Sequence, residues 1–334
     1  MSVNAIVSDI KKGDIKPIYF LMGEESYYID KISEFIENNI LSESERGFNQ
    51  MIIYGRDASI DDIVSNAKRF PMMAEKQVII VKEAQELSRT IENLAVYVEN
   101  PQPTTVLVVC YKYKKLDARK KLAKLIKKKG YVLFESKKLY ENQVSDWIRK
   151  VLTGKKYNIE PKAVQMLVEF LGTDLSKISN ELDKLMIVLS KESVISPEDI
   201  ERNIGISKDF NNFELRKAVG NKHIVKANQI INYFKQNSKS NPIVVTISLL
   251  NDLFTKLLLF HGLKDKSQTN VARKLSVSPY FVKEYFDAAH NYPMRKVSQI
   301  ISMLHKADMK SKGVGASLLA KDDILKELLF KIMH

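Results

Sequence analysis

The chain has 334 residues, of which 53 are lysine or arginine and 40 are aspartate or glutamate, a formal charge of +13. With 45% apolar residues, 12 glycines and 9 prolines it has the composition of a folded chain of two or three domains, which excludes disordered, collagen-like and low-complexity classes. The basic excess favours polyanionic partners, nucleic acid first, while the single cysteine, Cys110 in an apolar run, excludes an intramolecular disulfide or cysteine-rich zinc site and fits a reducing, cytoplasmic compartment.

Residues 1–9 show no basic leader followed by an apolar stretch, so an export signal is not expected. Up to about residue 136, short β-branched runs alternate with amphipathic segments. Runs at 17–22, 50–54, 77–81, 105–111 and 131–134 predict strands, and stretches at 26–40, 60–70, 90–98 and 117–129 predict helices. Such alternation supplies the crossovers that a mostly parallel sheet requires. After Phe134 the strand signal disappears, and Leu175, Ile178, Leu182, Leu185, Met186 and Leu189 recur at helical spacing. Ser196-Pro197-Glu198-Asp199 reads as a helix start, and the polar stretch 204–212 as a joint between two helical units. The predicted organisation is therefore an α/β domain over 1–138 followed by two all-α domains over 139–208 and 209–334. The greasiest segment, 243–260, is interrupted by Asn251, Asp252 and Lys256, which argues against a membrane span.

The first predicted strand runs into Gly23-Glu24-Glu25-Ser26-Tyr27-Tyr28-Ile29, where a phosphate-binding loop would sit. A working loop needs glycines that let main-chain N–H groups approach phosphate, and a lysine for the β- and γ-phosphates. Here Tyr28 stands at the second glycine position and Ile29 at the lysine position, and Glu24 and Glu25 repel phosphate. The strand at 77–81 is followed by Lys82 and Glu83, not by the aspartate that holds magnesium in nucleotidases. No cofactor is expected. His223, His261, His290, His305 and His334 lack metal-binding spacing and no Gly-x-Ser-x-Gly motif occurs, so neither a metal nor catalysis is expected.

Between Lys112 and Lys129 ten basic residues face one acid, Asp117. Lys114, Lys115, Arg119, Lys120, Lys121 and Lys124 are the candidate phosphate contacts, although Leu122, Leu125 and Ile126 would form a buried stripe and leave the lysines to solvate the opposite face. Residues 269–283 resemble a helix-turn-helix, yet the second helix offers Tyr280, Phe281, Val282, Tyr285 and Phe286 where a reader of base edges needs polar side chains.

Three segments together carry a resemblance. They are Pro17-Ile18-Tyr19-Phe20-Leu21-Met22-Gly23-Glu24-Glu25 with Tyr27 and Asp30; the stretch from Phe70-Pro71-Met72-Met73-Ala74-Glu75-Lys76 into Gln77-Val78-Ile79-Ile80-Val81; and Leu304, Asp308, Lys312 and Gly313 ahead of an apolar helix over 324–332. Across essentially the whole chain they resemble the bacterial DNA polymerase III delta subunit family. The resemblance implies an AAA+-type domain with a degenerate nucleotide site, a small helical lid and a helical collar. It also implies a non-catalytic part of the DNA polymerase III holoenzyme, which binds and opens the sliding clamp so that the loader can place it on primed DNA. The implied partners are the clamp, delta-prime and tau/gamma-type subunits, and DNA within the complex, with no membrane.

In that family a short helix after the second strand presents two adjacent bulky apolar residues to a clamp pocket. Matched here they are Met72 and Met73, with Phe70 and Pro71 beside them, and the family's frequent leucine or phenylalanine is replaced by the more adaptable methionine. Read without the resemblance, the pair would be core residues leading into the strand at Gln77. Leu318, Leu319, Leu325, Leu328 and Leu329 exceed one narrow packing stripe and predict subunit contact. Two other functions compete: a divergent ATPase with an atypical loop, and a transcriptional regulator using residues 269–286.

Overall fold

The structure, a computed structural model, describes residues 2–314 and 321–334; Leu318 and Leu319 lie outside the described residues. Two compact units divide the chain, Met1–Leu139 and Tyr140–His334.

In the first unit the order is α1 (Val3–Lys11), β1 (Ile18–Gly23), α2 (Ser26–Asn39), α3 (Glu43–Asn49), β2 (Gln50–Tyr54), α4 (Ile60–Ala67), β3 (Gln77–Lys82), α5 (Ala95–Glu99), β4 (Thr105–Lys112), α6 (Lys121–Lys128) and β5 (Val132–Ser136). The five strands form one parallel sheet in the order β2-β3-β4-β1-β5. Strands β3 and β4 read as unbroken apolar runs because both of their faces are covered. On one face Tyr19, Leu21, Val78, Ile80, Val106 and Val108 pack against Ile29, Ile32 and Ile36 of α2 and Ile6 and Ile10 of α1. On the other, Ile18, Phe20, Ile79, Val81, Leu107 and Val109 pack against Ile60 and Ile63 of α4 and Leu122 and Ile126 of α6. Cys110 lies in the first of these layers, where burial pushes its thiol up to about 12.

Several boundaries differ from the sequence expectation. Helix α4 stops at Ala67, not at residue 70, because its last carbonyl accepts from Thr105 Oγ1 (2.8 Å) and the Tyr97 hydroxyl (3.1 Å) and needs no further turn. The expected helix over 90–98 begins as a 3-10 turn, Ile91–Leu94, and α6 begins at Lys121 after a turn held by Asp117. Helices α1 and α3 were not expected, and each owes its start to a serine cap, Ser2 and Ser42.

The second unit runs through α7 (Glu141–Gly154), β6 (Asn158–Ile159), α8 (Pro161–Leu171), α9 (Leu175–Val188), β7 (Val194–Ile195), α10 (Pro197–Ile204), α11 (Asn212–Gly220), α12 (Ile224–Gln236), α13 (Ile243–Gly262), α14 (Gln268–Leu275), α15 (Val282–Asn291), α16 (Met294–Ser311) and α17 (Lys321–Met333). Strand signal therefore does not end at Phe134: β6 and β7 pair in parallel, each too short to leave a sequence period. Helix α13 is long and apolar enough to cross a membrane by length and composition, but Ile247, Leu250, Phe254 and Leu257 make it the core helix of this unit. Glu169 of α8 and Arg216 of α11 form a buried ion pair (3.3 Å), and Arg216 also donates to the Tyr285 hydroxyl (3.2 Å).

One expectation fails here. Leu325, Leu328 and Leu329 of α17 are buried in the unit's own core, so they are not free for another subunit. The segment that resembles a helix-turn-helix has its turn at Ser276, in the left-handed region, and Val282 and Tyr285 face inward with Val271 and Leu275; α15 is a packing element, as its apolar side chains suggest.

Candidate functional site

In an open parallel sheet, ligands bind beyond the carboxyl ends of the strands where the strand order reverses. That place is the end of β1, between β4 and β5. Gly23 has φ +127°, and a Cβ there would stand 2.0 Å from the Ser136 carbonyl oxygen, so the glycine serves the packing of β1 against β5. The Gly23 N–H donates to the Lys114 carbonyl (3.1 Å) and the Glu24 N–H to the Ser136 carbonyl (3.1 Å). At the start of α2 the buried Glu25 carboxylate accepts from the Tyr27 N–H (3.1 Å). Ile29 is wholly buried under the sheet, and Tyr28 packs at the edge of the same layer. After β3, Lys82 pairs with Glu37 (3.3 Å), and Glu83 pairs with Lys112 (3.0 Å), which also meets Asp30 (2.9 Å). Burial disfavours the Lys112 charge, but the hydrogen bonds it donates to Asp30 and Glu83 outweigh it and raise its pKa. Among the described residues no cluster of histidine, cysteine, aspartate and glutamate could hold a metal.

At the opposite end of the sheet, α4 delivers the chain to the start of β3 through residues 68–76, which contain no helix. The short helix expected to carry the apolar pair is absent because Pro71 biases Phe70 toward extended backbone and lacks an N–H. Phe70 is 76% exposed, Met72 63% and Met73 fully so; Pro71 is half-buried between them. The reading of Met72 and Met73 as core residues is therefore overturned. Met73 adopts a left-handed φ of +52°. The buried Asn49, at the end of α3, accepts from the Met72 N–H (2.6 Å) and donates to the Met72 carbonyl (2.9 Å). On the other side of the loop, Gln77 Nε2 donates to the Arg69 carbonyl (2.5 Å) and to Thr105 Oγ1 (2.7 Å). Phe48, next to Asn49, is also exposed.

The basic run divides. Lys112, Lys115, Arg119 and Lys121 are tied to carboxylates: Lys115 to Glu135 (2.9 Å), Arg119 to Asp117 through two guanidinium hydrogen bonds (3.0 and 2.9 Å), Lys121 to Glu99 (3.2 Å). Lys114 donates to Ser88 Oγ (2.8 Å). Lys120 and Lys124 make no salt bridge among the described residues; their charges help lower the carboxyl of Asp117, which pairs with Arg119. The six candidates are thus not equivalent.

Residues 19–136 match the family description "DNA polymerase III, delta subunit", and residues 209–328 match "DNA polymerase III delta subunit, C-terminal domain". The chain belongs to the DNA polymerase III delta subunit family. The DNA polymerase III subunit delta of Bacillus subtilis (strain 168) is 27% identical over 313 residues, 91% of this chain and 90% of that protein. The solved structure of the Bacillus subtilis DNA clamp loader delta protein is 25% identical, covers 99% of both chains and superposes with a TM-score of 0.57. The first delta-family match ends at Ser136, the last residue of β5, and the second begins in the non-helical stretch between α10 and α11. Within this delta-family frame, sequence reasoning missed Asn49, whose bond to Met72 spans 23 positions and leaves no local signal.

Proposed function

We propose that this chain works in the clamp loader through Met72 and Met73, with Phe70 and Pro71 beside them, as the anchors that enter a pocket on the sliding clamp. Its function is that of the clamp loader's delta subunit: it binds and opens the clamp so that the loader can place it on primed DNA, without catalysis of its own. The observation that carries the site is the exposure of three large apolar side chains on a loop whose main chain is tethered at Arg69 and at Met72. Soluble chains seldom leave such side chains bare, and a few apolar anchors in a preformed pocket supply most of a binding free energy.

The corner after β1 is a degenerate nucleotide site: the Gly23, Glu24 and Tyr27 N–H groups already have acceptors, and carboxylates stand around them. The first unit is the AAA+-like domain, 1–138. Within the helical unit, 139–208 serves as lid and 209–334 as the collar that assembles with delta-prime and tau/gamma-type subunits. Lys120 and Lys124 are the best placed of the basic candidates to meet primed DNA. The work is cytoplasmic.

The test replaces both methionines by alanine in the full chain. Two truncated anchors are expected to cost about 3 to 4 kcal/mol, which weakens clamp binding by about two to three powers of ten. The melting temperature stays unchanged because neither side chain is buried. Unchanged affinity would refute the assignment.

A further inference from the structure

We infer that Asn49 is a positioning residue of the clamp-binding site: its side-chain amide holds the main chain of Met72, and with it both anchors, in the binding conformation before the clamp arrives. The inference rests on the reading of Met72 and Met73 just given. Between Arg69 and Gln77 no main-chain N–H finds a main-chain partner among the described residues. The loop is therefore ordered by side chains or not at all. Asn49 satisfies both polar groups of Met72 at once, 2.6 Å from its N–H and 2.9 Å from its carbonyl.

The amide is itself fixed. Its Nδ2 also donates to the Glu45 carbonyl (3.2 Å), and the next residue, Gln50, is in register with Val78 across the β2–β3 pair. An asparagine suits the place because one short, rigid group must both donate and accept; serine could not bridge both atoms, and aspartate could not donate. The following residue, Met73, sits in a left-handed conformation that a residue with a Cβ rarely adopts, and which persists only where its surroundings enforce it. The clasp on Met72 is that enforcement, and it directs the Met73 side chain fully into solvent. Ordering two rotamer-rich side chains in advance removes a cost that would otherwise fall on association.

The experiment is a double-mutant cycle on the full chain, reading affinity for the cognate sliding clamp and melting temperature for N49A, M72A/M73A and the triple variant. Expected is a loss of about tenfold to a hundredfold for N49A, the range that losing this preorganisation implies, and no further loss when N49A is added to M72A/M73A, since its effect passes through the anchors. Wild-type affinity in N49A, with M72A/M73A impaired, overturns the positioning role. So does a triple variant in which the N49A loss adds in full, because Asn49 then acts elsewhere. Normal binding by M72A/M73A refutes the anchor reading itself, which is a different failure. A measurement on the unmutated chain guards against a variant that does not fold: the Met72 amide hydrogen is expected to exchange slowly although its side chain is exposed, and fast exchange overturns the inference.

Discussion

At the scale of single residues, the two ends of the β-sheet make opposite demands. Gly23 has no room for a side chain, so Gly23→Ala forces a Cβ against the Ser136 main chain and also strains φ. The expected loss is at least about 3 kcal/mol in denaturant unfolding, since backbone strain and a clash combine there. Sequence makes that glycine visible at a turn that lacks what phosphate binding needs; the packing of β5 against β1 cannot be read without the strand order. Glu284, in the helical unit, gives a pH test. Burial raises its carboxyl to about 7, against the lowering influence of Arg216 and Lys217 and with Glu214 and Glu169 adding to the rise. The unfolded chain releases this proton near 4.5 and the folded chain near 7, so stability falls as pH rises through that window and is level on either side of it. Glu284→Gln removes the effect. Its melting temperature should exceed that of the unmutated chain at about pH 8, with the gap closing by about pH 5, the lower end of the window.

At the scale of elements, all five strands of the sheet are legible because continuous β-branched runs announce buried parallel strands, with ends displaced by a residue or two. The misses are short pieces: α1 and α3 are single capped stretches, and β6 and β7 have two residues each. Helix α6 shows what a pattern can and cannot say. Its apolar stripe predicts the buried face, Leu122 and Ile126, but whether a lysine has a carboxylate neighbour depends on residues far away in sequence, such as Glu99 beside Lys121. Lys120→Glu with Lys124→Glu should flatten the salt dependence of loader binding to primed DNA by about one unit of slope for each phosphate that is no longer neutralised. The same reversal at Lys115, already held by Glu135, should change the slope far less. Helix α17 reads in sequence as a subunit surface and is core, so Leu328→Ala is expected to cost about 2 to 5 kcal/mol of stability, measured by urea unfolding.

At the scale of the whole molecule, the first unit encloses its own two-layer core and the complete loop bearing Met72 and Met73. Residues 1–139 alone should therefore fold and bind the clamp within about threefold of the full chain's affinity, a difference below about 1 kcal/mol, while failing to assemble with the other loader subunits. Calorimetry against the clamp and co-elution with the subunits check the two halves of that expectation. The division into two units is legible, because a change from strand to helix periodicity marks the limit near residue 138, whereas ion pairs such as Glu169 with Arg216 bind the helical segments of the second unit together and carry no composition signal. The buried Cys110 has a practical consequence. A thiol held near 12 in a closed β-layer does not react with maleimide at neutral pH, and the sequence has one cysteine. Glu75→Cys, two residues beyond the exposed Met73, would thus give a chain that takes a fluorophore at one defined atom with the native cysteine left in place, and each opening of a clamp could be watched as it happens.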